Sequence, residues 1–187
     1  MTRNATLGLA GLLLLAACSK TPANTDSGAA SASAAAASAA STAAAAPVAA
    51  PVGGPAVSGA FTANGKAVTL TQVTAHKGEP FDDQPVTELV FTEKDQGGDA
   101  DASTDAVFRK FGDAIVVKIQ SDGTVIGTDV VHSGLKEQGS VSLSGMFSVK
   151  NYQSANGQIS GELTSGGPTD VFGQPLNVDL TFHVKAP

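Results

Sequence analysis

The sequence predicts an all-β domain, a single antiparallel β-sandwich or partly open barrel of about eight strands. Two observations support this class. Apolar and polar residues alternate along several segments, and Asn-Gly or Asp-Gly pairs separate such segments at the spacing of β-hairpins. In addition, the chain shows neither the strand–helix alternation of a parallel sheet nor an internal repeat.

Three segments carry the alternation most clearly. From Leu176 to Val184, every second residue is large and apolar, and the residues between are polar. The stretches Val141–Lys150 and Ile159–Thr164 repeat the pattern, with Gly145 and Gly161 at two of the apolar positions. One apolar face and one wet face are typical of antiparallel sheets with a solvated side.

Turn residues place the remaining strands. The pairs Asn64-Gly65, Asp122-Gly123 and Asn156-Gly157 each favour a tight hairpin turn. The strands they are predicted to join are Val57–Thr62 with Val68–Val73, Ile115–Ile119 with Val125–Val131, and Val149–Tyr152 with Ile159–Leu163. Val86–Phe91 is a further strand candidate, and only Ala102–Phe111 has the composition of a short helix.

The N-terminal residues have the pattern of a secretory signal peptide. Arg3 precedes the apolar run Leu7–Leu15, and small residues follow as Ala16-Ala17. The run is too short for a transmembrane helix, which needs about 20 apolar residues. Cys18, the only cysteine of the chain, follows the small residues directly. The sequence Leu15-Ala16-Ala17-Cys18 therefore resembles the lipobox of bacterial lipoprotein precursors.

The resemblance implies cleavage between Ala17 and Cys18 and attachment of a diacylglyceryl group to the Cys18 sulfur, with acylation of the new N-terminus. The protein would then be anchored by lipid in the bacterial cell envelope. Ser19 follows the cysteine where members of the family held at the inner membrane often carry Asp, so the outer membrane, facing the periplasm, is the expected destination. A lipidated Cys18 leaves the mature chain without a free thiol or a disulfide.

The chain divides into three parts. We predict a signal peptide over residues 1–17, a lipid-anchored disordered linker over residues 18–56, and the β-sandwich domain over residues 57–187. The linker is almost entirely Ala, Ser, Thr, Pro and Gly, and no large apolar residue occurs between Leu15 and Val48. Such a segment cannot bury enough apolar surface to offset the entropy of ordering. Pro47, Pro51 and Pro55 favour an extended chain near the domain.

Charge limits the range of partners. The whole chain has 11 Lys or Arg residues against 17 Asp or Glu residues, a formal net charge of −6. This acidic balance disfavours nucleic acid as a partner, and it equally serves solubility. The chain has no Trp and one Tyr, so the aromatic surfaces usual in sugar or base stacking are scarce.

The most acidic stretch, Glu93–Asp105, offers a weak candidate for a calcium site. Oxygen ligands alternate there in the order Asp99, Asp101, Ser103 and Asp105. The EF-hand pattern is not met, because the sixth position of the loop is Thr104 and the twelfth is Lys110. A solvated connection between strands has the same composition, so no cofactor or metal is expected.

Two further patterns contain residue types that occur in catalytic sites. Ser133-Gly134-Leu135-Lys136 matches the Ser-x-x-Lys tetrad of penicillin-binding enzymes, but it follows a strand and lacks the partner motifs, so we interpret it as a chance match. The three histidines, His76, His132 and His183, are scattered, and His183 falls on the polar face of its predicted strand. No catalytic residue is assigned.

The C-terminal residues carry a second resemblance. The run Gly161-Glu162-Leu163-Thr164, through Phe172-Gly173, to Val178-Asp179-Leu180-Thr181-Phe182 is similar to the closing hairpin of a β-module in exported bacterial proteins. The resemblance covers about 25 residues and implies no function.

These observations lead to two functional hypotheses. The first is a lipid-anchored envelope protein that displays a β-sandwich as a binding or structural module, with the membrane and possible envelope proteins as partners. The alternative is an envelope enzyme, a hydrolase, whose site is assembled from dispersed loop residues. Histidines and carboxylates that converge in a pocket would favour the enzyme hypothesis. A flat polar face or an exposed sheet edge would favour the binding or structural module.

Overall fold

The structure, a computed structural model, describes residues 56–137 and 139–187. The predicted signal peptide, Ala17 and Cys18 at the predicted cleavage and lipidation site, and nearly all of the predicted linker lie outside the described residues. The described part holds eleven strands and one short helix. Their bounds are β1 Ala56–Ala63, β2 Lys66–Val68, β3 Gln72–Phe81, β4 Gln84–Thr92, α1 Ala102–Val107, β5 Ala114–Gln120, β6 Val125–Val131, β7 Val141–Leu143, β8 Ser148–Ala155, β9 Gln158–Thr164, β10 Thr169–Val171 and β11 Gln174–Lys185.

The strands form two antiparallel sheets. The first sheet has the order β2-β1-β11-β9-β8, and β10 pairs with the early part of β11. The second sheet has the order β3-β4-β5-β6-β7. From Ala56 onward, the chain first forms β1 and β2 of the first sheet, then adds β3 to β7 of the second sheet, and returns to the first sheet with β8 to β11. The predicted all-β sandwich is confirmed, and eight of its strands have seven or more residues.

The three predicted hairpin turns are present. Asn64 and Gly65 have φ angles of 50° and 79°, and Asn156 and Gly157 have φ angles of 53° and 70°. These left-handed values suit the right-handed twist of the strands they join. The turn at Asp122-Gly123 connects β5 to β6 as predicted. The predicted helix is also present, although α1 ends at Val107, before the expected Phe111.

The predicted single strand over residues 141–150 is wrong. The structure divides it into β7, which pairs with β6 in the second sheet, and β8, which pairs with β9 in the first sheet. Gly145, at φ 71°, turns the chain between them and is exposed rather than inward-facing. Val141, Leu143 and Phe147 do face inward as predicted.

The predicted strand Val68–Val73 is likewise divided. β2 ends at Val68, the buried Leu70 lies in the connection, and β3 begins at Gln72. The long strand β3 was not predicted, and neither was its turn to β4. Asp82 and Asp83 form that turn with φ angles of 50° and 59°. Aspartate tolerates this conformation, but a pair of aspartates without glycine is a weaker turn signal than Asn-Gly.

The main core lies between the two sheets. Phe91 of β4 and Phe182 of β11 meet edge to face with ring centroids 5.4 Å apart, which is a favourable aromatic geometry. Gly161 of β9 lies opposite Phe182, and a Cβ atom at this glycine would come within 2.7 Å of the Val149 side chain. A glycine therefore occupies this inward position because the neighbouring side chains fill the space above it.

A second, smaller core lies on the outer face of the second sheet. Ala102 and Ala106 of α1 are fully buried there, together with Val90 of β4, Val116 of β5 and Val131 of β6. Both faces of the second sheet are therefore covered near α1, which explains why β4 and β5 read as nearly continuous apolar runs in the sequence.

The alternation along β11 generates a stability test. Phe182 is buried, so Phe182→Ala should destabilise the protein by about 3–5 kcal/mol, the usual cost of emptying an aromatic site in a core. The expectation that its neighbour His183 faces solvent is only partly right, because His183 is half-buried and its Nδ1 atom is inaccessible. Thr181, which is exposed on the same strand, is the better control.

Thr181→Ala should change the free energy of unfolding by less than about 1 kcal/mol, the span of strand propensities. Denaturant unfolding of the full chain measures both values. Equal losses for the two variants would show that the register of β11 is wrong.

Candidate functional site

A buried carboxylate connects α1, β5 and the end of β6. Asp113 is only 3% exposed. Its Oδ1 atom accepts hydrogen bonds from the Arg109 guanidinium at 2.8 Å and from the Ser133 backbone N–H at 2.9 Å, and its Oδ2 atom accepts the Ser133 hydroxyl. Three donors around one buried carboxylate compensate its loss of hydration.

The turn after α1 positions the guanidinium. Arg109 has a φ angle of 65°, in the left-handed region that a residue after a helix often adopts. The Lys110 N–H then bonds the Asp105 carbonyl and the Arg109 N–H bonds the Ala106 carbonyl, which closes the helix end. This left-handed turn reverses the chain and returns it to β5, so Arg109 and Asp113 form an ion pair four residues apart.

His132 lies beside this cluster but points into the main core. It continues the inward alternation of Thr128 and Val130 by one step beyond β6, and it is fully buried. Its ring meets Phe61 of β1 edge to face with centroids 4.4 Å apart. Nδ1 accepts the Gly134 backbone N–H at 2.8 Å, whereas Nε2 has no hydrogen-bond partner among the described residues.

Ser133, His132 and Asp113 are thus close together, but they are not arranged as a catalytic triad. In a triad the serine hydroxyl donates to the histidine, and the histidine donates to the carboxylate. Here the Ser133 hydroxyl donates to Asp113 directly, while the His132 ring accepts from Gly134. The arrangement holds three chain segments together, and the Ser133 hydroxyl is bonded to a carboxylate instead of a histidine.

The Ser-x-x-Lys segment does not assemble either. The Leu135 N–H bonds the His132 carbonyl at 3.0 Å, so Ser133 lies in a turn and does not begin a helix. Lys136 is exposed, and its backbone N–H donates to Gln174 Oε1 at 2.8 Å. The segment fastens the chain after β6 to the beginning of β11.

Two of the carboxylates that the sequence offered for calcium, Asp99 and Asp105, are paired with Lys110. The Lys110 ammonium bonds Asp99 Oδ2 at 2.7 Å and also bonds Asp105. These bonds raise the pKa of Lys110, and the bond from Lys110 is the main reason that the pKa of Asp99 is lowered. Within residues 56–137 and 139–187, no group of three or more His, Cys, Asp or Glu side chains is placed to hold a metal.

The three histidines lie in different parts of the domain and share no site. His76 is on the outer face of the second sheet, where its Nε2 lies 2.8 Å from the Thr74 hydroxyl. His132 is inside the sandwich, and His183 is on the outer face of the first sheet, between the inward-facing Phe182 and Val184. The enzyme hypothesis therefore gains no histidine–carboxylate pocket from these three residues.

The sequence analysis missed three buried polar residues that organise the loops. Asp113 is the first, and Gln174 is the second, since its Nε2 donates to Glu137 at 2.9 Å. Gln96 is the third: its Nε2 donates to the Val90 carbonyl at 3.0 Å, and its Oε1 accepts the Thr74 hydroxyl at 2.6 Å. Gln96 thereby fixes the acidic stretch against the second sheet.

A shallow groove runs beside α1 on the outer face of the second sheet. Charged residues from three successive strands line it, and Lys118 Nζ lies 3.6 Å from Glu88 Oε1. The lining residues are Glu88, Ser103, Thr104, Val107, Val116, Lys118 and Asp129. The mixture of both charges and hydroxyls offers contacts to small polar groups without favouring one class of ligand.

Comparisons with known proteins leave the family open. No protein-family model, curated protein or solved structure significantly matches the chain. No helix in the described part of the chain is long and apolar enough to cross a membrane. The functional argument therefore depends on the sequence motifs and the geometry of the sandwich.

The Asp113 cluster makes a second stability test. Asp113→Ala removes three accepted hydrogen bonds and leaves the Ser133 N–H and Arg109 without their partner, so we expect a loss of about 2–4 kcal/mol. Lys110→Ala, which removes the exposed ion pairs of the acidic stretch, should have a much smaller effect. Denaturant unfolding compares the two variants, and an equal loss for both would argue against a special role of Asp113.

Proposed function

We propose that this protein is a lipid-anchored lipoprotein of the bacterial cell envelope whose β-sandwich is a binding module for another envelope protein. The anchor is supported by the lipobox-like sequence Leu15-Ala16-Ala17-Cys18 and by the absence of any other cysteine in the chain. The binding role is supported by two exposed phenylalanines at one end of the sandwich, and this observation carries the proposal.

Strand β1 runs from one end of the first sheet to the other, so its direction distinguishes the two ends. Ala56, the first described residue, pairs with His183 near the end of β11, and Ala63 pairs with Leu176 near its beginning. The chain therefore enters at one end of the sandwich and crosses to the other. We call that other end the distal end. It comprises the turn Asn64-Gly65, the segments Phe108–Asp113 and His132–Glu137, and the turn Phe172-Gly173.

Hydrogen bonds join the parts of the distal end. The Asn64 N–H donates to the Pro175 carbonyl at 2.7 Å, and Gln174 bonds both Lys136 and Glu137. Ser133 in turn bonds Asp113, as described above. The distal end is therefore one connected surface built from both sheets.

Two aromatic side chains project from this surface. Phe108 is 78% exposed and Phe172 is 71% exposed. Phe172 also has a φ angle of 52°, a conformation that costs a bulky residue about 1–3 kcal/mol. Asn or Gly would fill the same turn with less strain. An exposed aromatic residue in an unfavourable turn position contributes little to folding, and large exposed aromatics are the residues that most often anchor protein interfaces.

The proposed anchor would leave the two phenylalanines accessible. A linker that joins the lipid to Ala56 attaches at the end opposite to Phe108 and Phe172. Because the predicted linker is long and flexible, the aromatic surface would be free to reach partners in the periplasm. A protein with apolar pockets for these rings is the partner that this chemistry fits.

The anchor is tested by Cys18→Ala. The variant should appear in the soluble fraction, or keep its signal peptide, while the unchanged protein sediments with membranes and incorporates labelled fatty acid. Density fractionation should place the unchanged protein in the outer membrane. Normal processing with full membrane retention of the variant would refute the lipid anchor.

The binding role is tested by Phe172→Asn. Asparagine tolerates the left-handed turn, so the variant should be as stable as the parent or more stable, by about 1 kcal/mol, while crosslinking to its partner in intact envelopes should fall sharply. Phe81→Ala is the matched control, because Phe81 is 50% exposed but lies in the β3–β4 hairpin, at the end of the second sheet opposite to Ala114 and Val131. Recovery of the same crosslinked protein from both variants in equal amounts would contradict the assignment.

A further inference from the structure

The segment His132–Glu137 closes the interior of the sandwich at the distal end. The Leu135 side chain is buried in the main core. Gly134 passes so close to β1 that a Cβ atom there would lie 2.3 Å from the Ala63 carbonyl oxygen. Beyond it, Lys136 and Glu137 bond the side chain of Gln174. The segment therefore lies across the gap between the two sheets and contacts both.

The beginning of this segment depends on a neutral histidine. Nδ1 of His132 accepts the Gly134 N–H, so the proton of the neutral ring must be on Nε2. Addition of a second proton would turn Nδ1 into a donor facing another donor, and the Gly134 N–H would lose its partner. The new charge would lie in a fully buried site beside the Phe61 ring, where Nε2 makes no hydrogen bond with any described residue.

We propose that His132 is an acid-sensitive latch, whose protonation releases the segment His132–Glu137 from β1 and β11 and opens the distal end of the sandwich. The inference rests on the geometry of the ring and of the segment. It does not depend on the lipid anchor or on the partner proposed above.

The charges that face His132 come from three elements. Asp113, at the beginning of β5, favours the protonated ring, whereas Lys66 of β2 and Arg109 after α1 oppose it. Both oxygens of Asp113 are already bonded to Arg109 and Ser133, which limits the compensation it offers. The Phe61 carbonyl also favours the protonated ring, but it does not complete a hydrogen bond. Burial outweighs these contributions and lowers the pKa of His132.

The direction of the pH effect follows from this balance. A histidine whose pKa is lower in the folded protein binds its proton more readily when the segment is released or unfolded. The closed segment is therefore fully stable above the ordinary histidine pKa of about 6.5 and loses stability as the pH falls below it, toward the lowered pKa of the folded state.

Hydrogen–deuterium exchange of the full chain, followed by mass spectrometry, tests the latch. Peptides covering residues 132–137 should lose protection several-fold between about pH 7.5 and about pH 5, after correction for the intrinsic exchange rate. Peptides from the centre of β5 should keep their protection over the same range. Unchanged protection of residues 132–137 would overturn the proposal, and an equal loss in β5 would indicate global unfolding instead of a local release.

Variants assign the effect to one ring. In His132→Asn the side-chain oxygen replaces Nδ1 as the acceptor for Gly134 but does not titrate, so the pH dependence should disappear. His183→Asn and His76→Asn should keep it. If His183→Asn or His76→Asn abolished the pH dependence and His132→Asn kept it, the latch would be contradicted. If His132→Asn fails to fold, the NMR titration of the His132 ring in the unchanged protein decides, because a ring that titrates near 6.5 without any change in exchange also contradicts it.

Discussion

The contact between the two sheets is the constraint on which this domain depends. No described residue is a cysteine, so no disulfide joins the sheets, and apolar packing between them has to supply the cohesion. Phe91 and Phe182 form the central contact, with one ring from each sheet. Gly161 leaves room for the side chains of Val149 and Phe182, and this fit favours the observed register of β9 between β8 and β11. A shift of either strand by one residue would place polar side chains in the core.

The distal end is stabilised differently, by buried polar groups. Asp113 and Gln174 accept hydrogen bonds from segments distant in the sequence, and His132 accepts one from Gly134 in the loop that follows it. Such bonds contribute modestly when they are complete, but an unpaired buried partner is costly. The apolar core therefore sets the overall stability, whereas these polar bonds determine the positions of the loops. A change in the protonation of His132 would therefore affect the positions of the loops rather than the packing of the apolar core.

Most of the fold could be predicted from the sequence because period-2 alternation and hairpin dipeptides are local signals. The alternation failed over residues 141–150 for a physical reason. A chain that passes from one sheet to the facing sheet can keep its apolar residues directed at the shared core, so the pattern continues across the break between β7 and β8. The local sign of the turn in the sequence was Gly145, which adopts a left-handed φ angle of 71° in the structure.

The polar cluster was harder to predict because its members are distant in sequence. Asp113 follows Gly112, and a Gly-Asp pair is typical of an exposed turn. Its partner Ser133 lies 20 residues further along the chain. Only the topology of β5 and β6 brings the two together. For His132 a signal did exist, since Thr128, Val130 and His132 continue one inward alternation. The predicted strand ends at Val131, so the sequence analysis did not place His132 in the core.

The strained turn at Phe172 is connected to the same polar bonds. The Asp170 side chain accepts the Gly173 N–H at 3.0 Å, and Gln174 is held by Lys136 and Glu137. An unfavourable φ angle persists only where the surroundings determine it more strongly than the residue's own preference. Release of the segment His132–Glu137 would remove the support of Gln174 and allow the turn to relax. Acid conditions that open the latch would then also change the presentation of the Phe172 ring, so the two inferences are linked through Gln174.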